Sequence, residues 1–242
     1  MPPVGAGLTG IDLVIFDKDG TLIDFHAMWS GWAEELADRL EGATGQPLRE
    51  PLFAMLGYDP VGRRTVPGGA LSATPMARLR EATGVLLQGL GMRESVVLAA
   101  LDAAWHGPDP VATAHPLADL HGLFGALHRT GRRVAVVTSD DREPTVRTIA
   151  ALGLADEVDA VVCADDGVPT KPAPDAVHLV CAGLGMDPGR AAVVGDSPAD
   201  LAMGRRAGAG LVIAVRTGVG TTAELADADI IVESVEALRP VD

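Results

Sequence analysis

Lysine is almost missing from this chain. Of the 19 basic residues in 242, only Lys18 and Lys171 are lysines. Wherever a positive charge alone suffices the sequence uses arginine, so these two positions mark places where an ammonium group is itself required. Basic charge is scarce altogether: 33 acidic residues leave a formal net charge of -14. Such a balance excludes a surface built to neutralise phosphodiester backbones or anionic lipid, and the expected partners include neither nucleic acid nor a membrane. Cysteine is equally sparse. Cys163 and Cys181 lack CxxC spacing and lie in apolar contexts, which favours buried thiols over a disulfide framework or a zinc site and fits a reducing compartment. No apolar run approaches the roughly 20 residues of a spanning helix, and the opening "MPPVGAGLTG" has no basic stretch leading into an apolar one. The expectation is a soluble, cytoplasmic protein.

What the chain does contain is a series of short apolar runs with β-branched centres and polar or glycine ends. They are "DLVIF" (residues 12–16), "RRVAVVTSD" (132–140), "VDAVVCADD" (158–166), "AAVVGDS" (191–197), "LVIAVRTG" (211–218) and "ADIIVES" (228–234). Each is too short for a helix and suits a buried parallel strand. Helical stretches separate them at 116–130, 143–152, 174–184 and 198–207, the last closed by Gly208. The alternation predicts an α/β fold, a doubly wound parallel sheet with helices on both faces and ligands at the carboxyl ends of the strands.

Residues 25–110 break the alternation and read as helices without a strand. Met28, Trp29, Trp32, Leu36 and Leu40 repeat at helical intervals, as do Met76, Leu79, Ala82, Val85 and Leu86. "IDFH" leads into this unit and the proline-rich "HGPDPVATAHP" leads out, so an inserted helical domain at 25–110 is expected within a core formed by 1–24 and 111–242.

The polar ends of the runs collect on one edge of the predicted sheet. After the first come Asp17, Lys18, Asp19, Gly20 and Thr21; after the second, Thr138 and Ser139; after the fourth, Gly195, Asp196, Ser197 and Asp200. "TKPAPD", with Lys171, stands between the third and fourth. Three or four carboxylates converging there repel one another unless a hard cation holds them, and oxygen ligands suit Mg²⁺. A carboxylate is also a competent nucleophile towards phosphorus, and a second acid beside it can protonate a leaving oxygen and then deprotonate water.

"FDKDGTL", "VVTS", "KPAPD" and "GDSPAD", in this order and each after an apolar run, resemble the four signature motifs of the haloacid dehalogenase-like phosphohydrolase superfamily. The helical insertion between the first two motifs is similar to members with a type 1 α-helical cap, among which phosphoglycolate phosphatases and β-phosphoglucomutases look closest. The resemblance implies a phosphatase of a small phosphorylated metabolite. In it Asp17 matches the nucleophile that forms an aspartyl-phosphate and Asp19 the general acid and base. Asp17, the carbonyl of Asp19 and Asp196 match the Mg²⁺ ligands, with Asp200 a supporting carboxylate. Thr138 and Lys171 match the groups that bind the transferring phosphoryl. Ser139 either joins them or caps the following helix. Lys18 either reaches towards the leaving group or flanks the strand end, Thr21 stabilises the loop, and His26 in the first linker is the one histidine of interest. In the insertion, "GYDPVGRRTVPGG" (57–69) is the stretch shaped like a substrate-reading loop, with Arg63 and Arg64 suited to gripping a second anion or simply solvated.

Absent residues narrow the relatives. The insertion has no lysine for Schiff-base phosphonate cleavage, and both Asp19 and Asp196 are present, unlike in dehalogenating members. A phosphomutase remains the enzymatic alternative, and a non-catalytic binding protein the alternative from another class. Oligomeric state is not encoded in any feature identified.

Overall fold

The computed structural model describes residues 7–66, 69–74 and 76–240. They gather into two compact units, Met1–Asp24 with Pro110–Asp242, and Phe25–Asp109. In chain order, β1 (Leu13–Phe16) starts the first unit. The second holds α1 (Phe25–Thr44), α2 (Arg49–Leu56), β2 (Tyr58–Asp59), β3 (Arg64–Thr65), α3 (Ala70–Ala73), α4 (Met76–Gly89) and α5 (Glu94–Ala104). The first then resumes with α6 (Leu120–Arg129), β4 (Arg133–Val137), α7 (Arg142–Ala151), β5 (Ala160–Val162), α8 (Asp175–Leu184), β6 (Ala191–Gly195), α9 (Pro198–Ala207), β7 (Leu211–Val215) and β8 (Ile230–Val232).

The first unit is a six-stranded parallel sheet of order β5-β4-β1-β6-β7-β8. The chain builds outward from β1 to one side, then returns to build the other, so the direction of winding reverses between β1 and β6. Loops leaving the carboxyl ends of neighbouring strands diverge at such a reversal and open a crevice. Register places the crevice: Phe16 lies opposite Val136 of β4 and Val194 of β6, so the three strands end level.

Burial on both sides explains the continuous apolar runs. Val14, Phe16, Val136 and Val194 face Leu123, Phe124 and Leu127 of α6 and Ile149 of α7. The alternate residues Leu13, Ile15, Ala135 and Val193 face Val177 and Val180 of α8 and Met203 of α9. Cys163 and Cys181 are buried free thiols. Where the strands begin, carboxylates pair with arginine or with strand amides. Asp12 pairs with Arg190, Asp159 accepts from the Val134 amide at 2.8 Å and from Arg133 at 2.6 Å, and Asp229 accepts from the Val212 amide at 2.8 Å and from Arg205 at 2.7 Å.

In the second unit, α1 buries Met28, Trp32, Leu36 and Leu40 of the predicted stripe, while its fifth member, Trp29, is only partly buried. Trp32 donates its indole N–H to the His106 carbonyl at 2.6 Å, which lets a polar tip be buried. Two expectations fail. The segment does contain strands, the antiparallel pair β2 and β3. In α4 the buried face is Leu79, Thr83, Gly84 and Leu87, whereas Val85 is 68 % exposed. Thr83 satisfies its hydroxyl on the Leu79 carbonyl at 2.8 Å, and Gly84 makes room for α5, since a Cβ there would lie 3.3 Å from Leu101 Cδ1. A threonine and a glycine thus take core positions that apolar periodicity assigned to their neighbours.

Candidate active site

Asp17 is the first residue beyond β1, and its amide donates to the Val194 carbonyl of β6 at 2.8 Å, which fixes it at the crevice. The chain then turns sharply: the Leu22 and Ile23 amides both donate to the Lys18 carbonyl, at 2.9 and 3.1 Å. Gly20 makes the turn possible. Its φ is +87°, and a Cβ there would sit 2.7 Å from Asp196 Oδ2. Asp196 is itself the first residue beyond β6, so the first loop folds directly over it. Thr21, fully buried, reaches Asp196 Oδ1 at 3.4 Å and thus holds the site together from within the loop.

Lys171, just before α8, is the cation at the centre. Its side chain is 5 % exposed; the ammonium contacts Asp17 Oδ1 and lies 2.7 Å from Asp200 Oδ1. Burial alone opposes its charge, but Asp17 and Asp200 reverse that and hold its pKa above the ordinary lysine value. The carboxylates remain in excess. Oxygens of Asp17, Asp196 and Asp200 all lie within 4.8 Å of one another in the protein interior. Burial pushes the Asp17 carboxyl well above its ordinary value, against the pull of Lys171, with Asp200, Asp196 and Asp19 adding to the rise. Burial and the neighbouring Asp200 push Asp196 up to about 7. Three acids against one ammonium form a donor set that suits a hard divalent cation, whose charge would offset the repulsion. Asp200 stands back from that role. Its Oδ2 accepts from the Ser197 amide at 3.1 Å and the Ser197 hydroxyl at 2.6 Å, in a capping box at the start of α9, while Oδ1 faces Lys171.

Asp19 lies two residues beyond Asp17, and its side chain is 20 % exposed. Burial raises its carboxyl above the ordinary range even though Lys18 pulls the other way. Lys18 does not extend outward: the residue is 3 % exposed, with Nζ 2.7 Å from each Asp19 carboxylate oxygen and 3.2 Å from Asp140 Oδ2. Thr138, 5 % exposed, sits beyond β4, where its Oγ1 accepts the Asp140 amide at 3.1 Å. That bond uses a lone pair and leaves the hydroxyl proton available for donation. Ser139 is exposed. Neither Thr138 nor Ser139 caps α7, whose N-cap is Asp141.

Two contributors escaped the sequence reading, the loop after β7 and Asp140. The loop after β7 closes over Asp196: the Val219 amide donates to its Oδ2 at 2.8 Å, and Thr217 donates to the Gly20 carbonyl at 2.6 Å, stitching this loop to the first. A Cβ at Gly218 would lie 1.9 Å from Asp196 Oδ2, so only glycine lets the backbone pass. The two glycines of "RTGVGT" after an apolar run were the available signal. Ser197, already among the polar strand ends, is the N-cap of α9. Asp140 had no local signal, since its partner Lys18 is remote in sequence.

Arg63 and Arg64 belong to the second unit. The expected loop at 57–69 contains the β2–β3 hairpin, and its Pro67 and Gly68 lie outside the described residues. Arg63, at a φ of +47°, pairs with Glu34 at 3.1 Å, and Arg64 lies 3.9 Å from Asp59. His26 Nδ1 accepts the Thr65 amide of the same hairpin at 3.3 Å, which gives it a structural task inside this unit.

The profile described as haloacid dehalogenase-like hydrolase matches residues 11–208. A phosphoglycolate phosphatase of Rhodospirillum rubrum is 31% identical over 206 residues, which cover 83% of this chain and 78% of that protein. Among solved structures, a subfamily IA hydrolase of the haloacid dehalogenase superfamily from Geobacter sulfurreducens superposes with a TM-score of 0.66 at 18% identity, covering 95% of this chain and 97% of the other. A hydrolase of the same family from Deinococcus radiodurans gives 0.65 at 20% identity, covering 95% and 94%. These two likenesses concern the fold.

Proposed function

The chain belongs to the haloacid dehalogenase-like hydrolases, and from that premise we propose that it is a Mg²⁺-dependent phosphatase that cleaves the phosphate monoester of a small metabolite through an aspartyl-phosphate on Asp17. The observation that carries this reading is the buried excess of acid at the carboxyl end of the sheet: Asp17, Asp196 and Asp200 around the single ammonium of Lys171. A fold gains nothing in stability by burying unpaired carboxylates. The relative from Rhodospirillum rubrum, a phosphoglycolate phosphatase, supports cleavage of a phosphate monoester.

Asp17 and Asp196, with the Asp19 carbonyl, would hold the ion, and Asp200 would keep Lys171 in place. Bound there, Mg²⁺ supplies positive charge that offsets the carboxylates and the incoming phosphate. The chain's own groups do the rest. Lys171 and the Thr138 hydroxyl donate to oxygens of the transferring phosphoryl, whose developing charge fixed donors stabilise. An Asp17 oxygen forms a bond to phosphorus as the bond to the leaving oxygen breaks, and Asp19 gives that oxygen a proton. Asp19 then takes a proton from water as the water oxygen bonds to phosphorus and the Asp17–phosphorus bond breaks, which returns both side chains to their starting state.

The test is phosphate release by purified protein from an aryl phosphate and from a panel containing phosphoglycolate, sugar phosphates and nucleotides, with hexose phosphate isomerisation followed separately. Turnover that stops on chelation, returns with Mg²⁺, is inhibited by Ca²⁺ and is absent from Asp17→Asn is the expected result. Isomerisation without net phosphate release would replace the phosphatase by a mutase, and full turnover in excess chelator or by Asp17→Asn would overturn the assigned site.

A further inference from the structure

We propose that Lys18 is a positioning residue for Asp19, held in place from the neighbouring loop by Asp140, and not a contact to substrate. The proposal rests on the reading of Asp19 as the acid and base. An ammonium has three N–H donors. Here they are turned towards two carboxylates, with both Asp19 oxygens at 2.7 Å and Asp140 Oδ2 at 3.2 Å, which draw the ammonium inward. The residue lines an apolar cavity together with Leu22, Leu120, Phe124, Val136 and Ile149, and as a whole it is 3 % exposed. A side chain so buried cannot swing towards a leaving group without giving up Asp19 and Asp140.

Asp140 completes the device. Its backbone is tied at both ends, with its amide on Thr138 Oγ1 at 3.1 Å and its carbonyl accepting the Ala164 amide at 2.9 Å. Thr138, Asp140, Lys18 and Asp19 therefore form one chain of contacts from the proposed phosphoryl-binding hydroxyl to the acid–base carboxylate. A carboxylate at the end of a mobile side chain has many rotamers, and holding one of them orients the proton towards the leaving oxygen. Lys18 holds Asp19 by two oxygens, whose remaining lone pairs still serve proton transfer. An arginine is not equivalent, because its planar fork sets a different angle between its donors.

The experiment separates a group acting through Asp19 from one acting on substrate. Lys18→Met keeps the apolar stem and removes the ammonium. On an alkyl phosphate, whose leaving oxygen needs a proton, it should lower kcat by about 10²-fold. The first step on an aryl phosphate with an activated leaving group, read as the burst of phenolate, should stay within about 3-fold, as should the additional effect of Lys18→Met in an Asp19→Asn background. Asp140→Asn, at a position 43 % exposed and so safe for folding, should show the same substrate pattern at smaller size. Equal losses on both substrates, or a further large loss on top of Asp19→Asn, would overturn the positioning role, as would full activity of both Lys18→Met and Asp140→Asn. An Asp19→Asn enzyme that retained turnover on the alkyl phosphate would instead overturn the assignment of the acid on which the proposal stands.

Discussion

Replacing Asp196 by asparagine should stabilise the metal-free protein while destroying its activity. The carboxyl is 3 % exposed, and burial together with Asp200 pushes it up to about 7 from an ordinary 3.8. Because the folded state holds this proton more tightly than the unfolded state, stability falls as pH rises between those two values. Below about 4 the group costs nothing, and above about 7 the full difference of about 4 kcal/mol opposes folding. Asparagine has the same shape, and its oxygen can still accept the Val219 amide that now lies 2.8 Å from Oδ2. It gives up the attraction of Lys171, so a net gain of about 1–3 kcal/mol is expected at pH 8. Thermal unfolding in chelator should show this as a rise of about 2–4 °C for each kcal/mol. The two proteins should converge at pH 4, and added Mg²⁺ should raise the midpoint of the wild type much more than that of the variant. An Asp196→Asn protein no more stable than wild type at pH 8, or more stable by the same amount at every pH, would refute the argument that buried repulsion is stored at this edge of the sheet.

The opposite edge predicts the opposite sign. At Asp159, burial pushes the carboxyl up, but the Val134 amide, Arg133 and His128 outweigh it and hold it below its ordinary value, so its contribution is present above pH 3.8 and lost as pH falls through the lower folded value. Asp159→Ala should therefore cost about 1–3 kcal/mol at pH 7 in denaturant titrations and less in strong acid; a penalty that grew on acidification would be inconsistent with the pairing. Gly218→Ala should force a Cβ into the space of Asp196 Oδ2, 1.9 Å away, and so displace the carboxylate or the loop. The expected cost is about 1–3 kcal/mol of stability together with a weaker response to Mg²⁺, and an alanine variant with normal metal response would show that the loop yields freely.

Much of the sheet was readable because a buried parallel strand has no face to alternate. Each of the six apolar runs became one of the six strands, trimmed at its ends, and α9 starts at Pro198 and stops before Gly208, which has a φ of +72°. The second unit was harder for identifiable reasons. Strands of two residues, such as β2 and β3, are too short to show a period. In α4 the buried positions include Thr83 and Gly84, whose fitness for the core depends on a hydrogen bond to Leu79 and on the approach of Leu101, neither of which is a property of residue type.

The site shows the same division between local chemistry and tertiary partnership. Asp17, Asp19, Thr138, Lys171, Asp196 and Asp200 each stand where a strand ends or a helix begins, so their convergence follows from topology. Which acid each lysine serves does not. Lys171 meets a carboxylate 154 positions away, and Lys18, beside the nucleophile in sequence, turns to Asp19 and Asp140. The scarcity of lysine was nonetheless a clue that could be read in advance. Arginine supplies the ion pairs at the solvent-facing start of the strands, where Arg190 is 55 % and Arg133 58 % exposed and a broad, weakly hydrated fork has room. Both lysines lie at the other edge, each at most 5 % exposed and each against two aspartates. A compact ammonium can place its three donors on oxygens that converge from separate loops, which a planar guanidinium cannot do in the same volume. In a chain that otherwise prefers arginine, lysine persists where several carboxylates must be held close together around one small charge.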